Sequence, residues 1–297
     1  MIERAIVSFS NPKIKDAIKL RDSGYRRASR RFLIDGLREI ERAIFSGVQC
    51  LEFFVLESKV DVARKFAGQN NVTINIISEL LIQKIGFGNR NDGIVAVAET
   101  PVCSFDLDNN FPQKINLPNK SDTNFDADLS NKSVVGVVNN KVDIPLFVVL
   151  EGIEKPGNIG AIFRSADGAG VSGIILVDNA TDLYNPNIIR SSLGTLFSIP
   201  VVETTAMRTK EWLLGRNIKM AVAKCGGDFL YAKYDFCQPT AIVLGSEAEG
   251  LTDKWDGDNV TSITIPMCGI ADSLNVSAAA AILLYEAKRQ RTQKNVP

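Results

Sequence analysis

Hydrophobic positions in the first hundred residues switch repeatedly between two periods. Ile14, Ala17, Ile18 and Arg21 recur at helical spacing and predict a helix over 11–29. Phe32-Leu33-Ile34 is a short apolar run that predicts a strand, and Asp35-Gly36 a turn after it. Leu37, Ile40 and Ile44 fall at i, i+3 and i+7, a helix that Gly47 ends. Residues 51–56 read as a strand, 60–67 as a helix, 72–77 as a strand, 79–85 as a helix and 94–98 as a last strand. Gly86-Phe87-Gly88-Asn89-Arg90-Asn91-Asp92-Gly93 is dense in turn residues. Strands alternating with helices predict a small α/β domain with a mostly parallel sheet.

The pattern resumes at Leu146–Leu150, a continuous apolar run that fits a central parallel strand. Ile159, Ile162, Phe163 and Ala166 stripe a helix over 159–169 that Gly170 ends. Strands are predicted at 174–177, 201–202, 220–223 and 241–244, and helices at 185–193 and 210–214. The last stretch opens as a buried strand, Ile263-Thr264-Ile265, and stops at Pro266. A polar loop pivots on Gly269, with Asp272 and Ser273 as candidate helix starts, and a helix follows over 275–291. Its first half is nearly all small, Ser277 to Ala281, which lets another backbone come close. Its basic end, Lys288, Arg289 and Arg291, suits the negative pole of the helix dipole. The whole predicts a doubly wound α/β domain with loops at the strand ends, where ligands sit. Residues 101–145 are rich in Asn, Asp, Lys, Ser and Pro and read as a poorly ordered linker. The expected domains are therefore 1–100, a linker 101–145, and 146–297.

Composition narrows the chemistry. At 297 residues, 45% hydrophobic and 23% charged, the chain has the makeup of a globular protein of two domains. No apolar run is long enough to cross a bilayer, and the N-terminus lacks the apolar core of a signal peptide, so a cytoplasmic location is expected. Five cysteines without C-x-x-C spacing argue against a metal cluster or a disulfide frame. Histidine is absent. That removes Ser-His-Asp and Cys-His catalysis and histidine metal sites, and leaves proton chemistry to carboxylates, Lys, Arg, Tyr or water. The net charge is zero, but residues 13–42 hold Lys13, Lys15, Lys19, Arg21, Arg26, Arg27, Arg30, Arg31, Arg38 and Arg42 against five acids. Such a run tracks phosphates or forms a solvated helix face, and charge alone favours the second.

Three loops collect the special residues: 156–165, with Asn158 and Arg164; 244–251, with Gly245 and Glu247; and 265–277, with Met267, Ser273, Leu274 and Asn275. Each lies at or just past the end of a predicted strand. Singly, each has a structural explanation. Asn158, Ser273 and Asn275 suit helix caps, Arg164 a surface ion pair, Glu247 a helix-start acid and Met267 a gap-filler. Their coincidence at one end of one sheet points to a site. A dinucleotide fold would need G-x-G-x-x-G after its first strand, and the glycines of Gly157-Asn158-Ile159-Gly160 are wrongly spaced for it.

Residues 146–291 resemble the SpoU/TrmH family of SPOUT RNA methyltransferases. The motif N-x-G-A-I-x-R-S-A stands at 158–166, L-G-S-E-x-E-G-L at 244–251 and I-P-M-x-G-x-x-x-S-L-N-V-S-x-A at 265–279. Phe32 to Gly36 and Asn89 to Gly93 are similar to the L30e-like substrate-binding domain that precedes the catalytic domain in many members. The resemblance implies a deep trefoil knot, a rare exception to unknotted chains. It implies S-adenosylmethionine as cofactor, held around Leu244, Gly245, Ile265, Met267 and Leu274, and methyl transfer to a ribose 2′-hydroxyl. The RNA expected is 23S ribosomal RNA ahead of transfer RNA, with guanosine favoured. A homodimer through the knot helix is expected, with no metal and no membrane. Arg164, Asn158, Glu247, Ser273 and Asn275 form the expected catalytic set. The family gives the proton-accepting role to Arg164. A guanidinium hardly deprotonates, so orienting the hydroxyl and clamping a phosphate stands beside it. Arg26, Arg27, Arg30, Arg31, Asn89 and Arg90 are the expected RNA contacts. The alternatives are a transfer-RNA 2′-O-methyltransferase and an RNA-binding homologue without catalysis.

Overall fold

Short strands that alternate with helices build two separate sheets. The structure is a computed structural model that describes residues 2–68, 72–87, 92–101, 144–178, 181–246 and 250–294. Most of the expected linker, and Asn89, Arg90 and Glu247, lie outside the described residues. The first sheet holds β1 (Ile2–Ile6), β2 (Arg31–Asp35), β3 (Cys50–Val55), β4 (Thr73–Ile77) and β5 (Ile94–Glu99) in the order β1-β4-β3-β5-β2. β1, β4 and β3 run parallel, while β5 is antiparallel to both β3 and β2. The helices between them are α1 (Pro12–Lys19), α2 (Ser23–Ser29), α3 (Leu37–Phe45), α4 (Val60–Ala67) and α5 (Glu79–Ile85).

Two features depart from the sequence pattern. The helix expected over 11–29 is two helices, because Asp22 accepts a hydrogen bond from the Tyr25 N–H at 2.8 Å and starts a new one. Strand β1 was not expected. It lies at a sheet edge where Glu3, Arg4 and Ala5 are exposed and Ile6 is buried, so it carries little apolar signal and is held by pairing with β4.

The second sheet contains β6 (Leu146–Glu151), β7 (Gly173–Val177), β8 (Val201–Thr204), β9 (Lys219–Ala223), β10 (Phe229–Leu230), β11 (Thr240–Leu244) and β12 (Val260–Thr264). Their order is β10-β12-β9-β11-β6-β7-β8, and every neighbouring pair is parallel. Its helices are α6 (Pro156–Ala169), α8 (Ala206–Gly215) and α9 (Val276–Lys294). Parallel strands covered on both faces read as unbroken apolar runs, and β6, β7 and β11 are buried throughout. On one face Phe147, Val149, Met220, Val222, Ala241 and Val243 pack with Leu213 and Trp255. On the other, α9 lies against α6 and β11. Tyr285 of α9 lies over Gly168 of α6: a Cβ there would fall 2.6 Å from its hydroxyl, the tip of an exposed side chain that could turn aside.

The basic end of α9 does more than meet a dipole. Arg291 donates to the carbonyls of Phe236, Ile144, Pro145 and Gln238 at 2.6–3.1 Å, and Gln290 accepts from the Phe236 N–H. The end of this helix thereby staples the starts of β6 and β11.

The chain packs as two compact units. The first holds the described residues up to 101 together with Asp182–Ser198, which includes α7 (Pro186–Ser191); the second holds the other described residues from 144 on. Within the first unit α7 covers β2, and the Phe32 ring lies 4.6 Å from that of Tyr184.

Candidate functional site

Because all seven strands of the second sheet are parallel, their outgoing loops leave from one edge. The register keeps those ends level: Leu244 of β11 pairs with Leu150 of β6, and Ile263 of β12 with Ala223 of β9. Three loops meet there through two contacts. Asn158 stands in the first turn of α6, which begins at Pro156 after Lys155. It is therefore not a cap. Its Oδ1 accepts from Asn275 Nδ2 at 3.2 Å. Asn275, and neither Asp272 nor Ser273, caps α9. Its Oδ1 accepts from the Ser277 N–H at 2.9 Å and the Ser277 hydroxyl at 2.6 Å. The second contact joins the end of β6 to the exit of the 245–251 loop, where Glu151 accepts from the backbone N–H and the hydroxyl of Thr252.

The 245–251 loop folds back on itself. Ser246 N–H donates to the Gly250 carbonyl at 3.1 Å, and Gly250 N–H returns the bond at 3.0 Å. A side chain on Gly245 would overlap the Gly250 carbonyl and lie 2.6 Å from Leu251 N, so only glycine fits. Gly250 itself has φ +71°. Leu244 is buried in its strand, which limits what it offers to its backbone. Ile265 is half-buried, just beyond β12. Met267 and Leu274, each 37% exposed, and Ser273 are accessible on the loop that follows. Exposed apolar side chains beside irregular backbone and a turn without a side chain at Gly245 fit a flat, partly apolar ligand such as an adenosine.

Arg164 is exposed on α6. It shares a helix face with Gly157, Ala161 and Gly168, of which Gly168 is covered by Tyr285 of α9. A Cβ on Gly157 would meet nothing within 4 Å. That open end of the face leaves a guanidinium room to meet a phosphate or a sugar hydroxyl.

One residue of this edge escaped sequence reasoning. Glu151 ends β6 and is 4% exposed, yet it carries a carboxylate. Its Oε2 accepts from Thr252 N–H at 2.9 Å and Trp255 Nε1–H at 3.0 Å, and its Oε1 from the Thr252 hydroxyl at 2.8 Å. The signal was alternation. Residues 147, 149 and 151 of a strand share one face, and Phe147 and Val149 face the buried Trp255.

In the first unit the expected RNA contacts divide. Arg27 and Arg30 are exposed. Arg31 is ion-paired with Asp16 at 2.9 Å. Arg26 is 3% exposed, and this corrects its expected place on an RNA-facing surface. Its Nε meets Asp182 at 2.6 Å and its Nη1 donates to the carbonyls of Leu20 and Arg21, so its charge is satisfied inside the unit. Arg42 likewise donates to the Leu193 carbonyl at 2.7 Å. Asp35 accepts the Phe87 N–H at 2.6 Å. Burial pushes its carboxyl up to about 6, against the pull of that hydrogen bond and of Arg190. Among the described residues no group of three or more His, Cys, Asp or Glu is placed to hold a metal ion.

Residues 145–285 match the SpoU rRNA Methylase family, and residues 11–96 match the MRM3-like substrate binding domain. The chain is similar to the 23S rRNA (uridine(2479)-2'-O)-methyltransferase of Streptomyces viridochromogenes, 40% identical over 152 residues, which cover 49% of this chain and 53% of that protein. It is 34% identical over 153 residues to the 23S rRNA (guanosine-2'-O-)-methyltransferase RlmB of Pectobacterium atrosepticum, with 51% and 63% covered. The chain thus spans little more than half the length of these relatives. Two solved structures match nearly end to end. An RNA 2'-O ribose methyltransferase has TM-score 0.76 and 32% identity, over 97% of this chain and 99% of that one. The SpoU methyltransferase AviRb of Streptomyces viridochromogenes, in complex with the cofactor AdoMet, has TM-score 0.74 and 28% identity, over 95% and 98%.

Proposed function

The chain belongs to the SpoU rRNA methylase family, and from that membership we propose that it is an S-adenosylmethionine-dependent RNA 2′-O-ribose methyltransferase. The observation that carries this reading is the meeting of three loops at one edge of a parallel sheet, joined by the Asn158–Asn275 and Glu151–Thr252 hydrogen bonds. Bound there, the cofactor supplies an electrophilic methyl group. Gly245, Ile265, Met267 and Leu274 hold it, together with the backbone of Leu244. Arg164 faces the RNA from α6, on the side whose Gly157 end is open. It would clamp the phosphate next to the reacting ribose and orient the 2′-hydroxyl, whose oxygen takes the methyl as the methyl–sulfur bond breaks and whose proton leaves to water, so positioning supplies much of the rate. A guanidinium hardly deprotonates, which favours this role over that of a base. Asn158 and Asn275 hold the sugar edge, Ser273 shapes the loop beside them, and Glu247, outside the described residues, takes from the family resemblance the role of orienting Arg164 or Asn158.

The substrate is structured ribosomal RNA of the large subunit, which the two curated relatives name, ahead of transfer RNA. Guanosine is the first nucleotide to seek, with the uridine of the Streptomyces relative as its rival. The first unit is the substrate-binding domain and grips RNA by phosphates and shape through Arg27, Arg30 and Arg31. The protein acts in the cytoplasm as a homodimer. α9 leaves Ala278 and Tyr285 exposed and Ala281 half-buried, a small and partly apolar face that suits a second copy. The chain returns from β12, beyond β9, to lay α9 on α6 and β11, which is the path that the expected trefoil knot requires. Mapping 2′-O-methyl positions in total RNA with and without the gene tests the reading. One ribosomal position that loses its methyl supports it, and an unchanged ribosomal map contradicts it. A missing transfer-RNA methyl would instead assign the other substrate.

A further inference from the structure

We propose that Glu151 is a positioning residue for the cofactor loop, fixing the outgoing half of the 245–251 turn so that Gly245 presents its backbone to S-adenosylmethionine. The inference rests on the cofactor reading of that loop and adds to it a residue that none of the three motif loops contains.

The ingoing half of the turn needs no extra anchor. Gly245 follows Leu244 directly, and β11 is paired on both sides, with β6 and β9. The outgoing half has no strand to hold it. It is tied at two levels. Near the strand end, Gly250 and Ser246 exchange backbone hydrogen bonds. One residue past Leu251, Glu151 takes both the backbone N–H and the hydroxyl of Thr252, and three residues on it takes the Trp255 indole N–H. Trp255 is itself fully buried in the core beneath the sheet. The carboxylate thus connects the end of β6, the exit of the loop and the core.

The tolerance at this point is small. Gly245 is packed so tightly against Gly250 and Leu251 that a single added carbon would not fit. A shift of the outgoing half by the length of one lost hydrogen bond therefore moves the surface beside Gly245. A carboxylate suits the task better than an apolar residue. Three donors converge on two oxygens, and the buried one, the Trp255 indole N–H, would pay its full desolvation penalty if left without an acceptor. All three donors are neutral, so the negative charge is held by hydrogen bonds alone. An amide matches the same geometry. Its oxygen takes the two donors of Oε2, and its NH2 donates to the Thr252 hydroxyl oxygen.

The test uses the full-length protein and S-adenosylmethionine itself, with affinity read by titration calorimetry well below the melting temperature. Glu151→Leu should weaken cofactor binding by about tenfold or more, the scale of one lost hydrogen bond to a charged acceptor. Its turnover at saturating cofactor should stay within about threefold of the parent, because the RNA side is untouched. Glu151→Gln should restore affinity to within about threefold, through the acceptor geometry just described. If Glu151→Leu fails to fold, Thr252→Val carries the test. It keeps the backbone bond, removes one donor at constant volume, and should weaken binding severalfold. A Glu151→Leu protein with a lowered Tm but parental cofactor affinity would show a purely structural role and overturn the proposal. Parental affinity in Thr252→Val, where that variant carries the test, would do the same. A parent that takes up no cofactor would instead overturn the cofactor reading, and the proposal with it.

Discussion

The two sheets teach different lessons about where function collects. In the second sheet every strand points the same way, so each outgoing loop reaches the same edge and polar residues from distant parts of the chain gather there. In the first sheet β1 to β4 also run one way and only the last strand, β5, is reversed, so the loops after β1 to β4 leave from one edge as well. Their polar groups serve one another: Asp35 accepts the Phe87 N–H and Asp92 the Leu37 N–H. Arg26 and Arg42 are likewise turned inward. Both edges gather polar residues, but the first uses them to hold its own unit together and the second leaves them open.

Breaking the gathered edge should produce the largest effect. Arg164→Ala is expected to cut methyl transfer by about a thousandfold, the scale of losing a charge-positioning group, while cofactor affinity and fold stay near the parent values. Single-turnover transfer and calorimetry on one preparation check both halves. In the first unit the matching break is Arg26→Met. It leaves Asp182 buried without its partner and should cost about 3–5 kcal/mol of stability, read from the denaturant midpoint. An Arg26→Met protein that keeps its midpoint but loses RNA affinity would return Arg26 to the RNA-facing set.

These two arginines also mark how much the sequence disclosed. The unbroken apolar runs of β6 and β11 and the glycine-rich turns after them were legible, because parallel strands and tight turns constrain residue type strongly. The three motif loops followed from that pattern, and the resemblance gave their residues roles. Arg26 was misplaced because its neighbours Arg27 and Arg30 carry the same charge and are exposed. Its partner Asp182 lies far along the chain, so spacing gives no hint of burial. The same distance hid the membership of Asp182–Ser198 in the first unit. Glu151 was missed for a different reason. An acid at the end of an apolar strand reads as the start of a solvated loop, and only strand parity showed it turned toward Trp255.

Smaller effects sharpen the contrast. Gly245→Val should weaken cofactor binding by about a hundredfold, because its Cβ overlaps Gly250 and the turn must open. Calorimetry reads it, and unchanged affinity would remove this turn from the pocket. Asp35→Asn probes the first unit by pH. Burial holds the native carboxyl near 6, above the usual aspartate value of 3.8. The native state therefore keeps a proton that the unfolded chain releases, and the parent loses stability as pH rises from about 4 to about 6. The asparagine still accepts the Phe87 N–H but carries no charge. It should be more stable than the parent by about 3 kcal/mol at pH 8 and lose that advantage below pH 4. Denaturant midpoints across that range check it. Smallest of all, Arg27→Ala with Arg30→Ala should leave stability unchanged and lower the salt dependence of RNA binding by about one unit per lost phosphate contact.

The central claim is that the gathered edge of the parallel sheet transfers a methyl group to a ribose hydroxyl. The most direct measurement is incorporation of labelled methyl from S-adenosylmethionine into ribosomal RNA, followed by alkaline hydrolysis. A methylated 2′-oxygen cannot attack its neighbouring phosphate, so the account predicts label in alkali-resistant dinucleotides, present with the parent protein and absent with Arg164→Ala. Label released in ordinary mononucleotides, or equal incorporation by the variant, would contradict it.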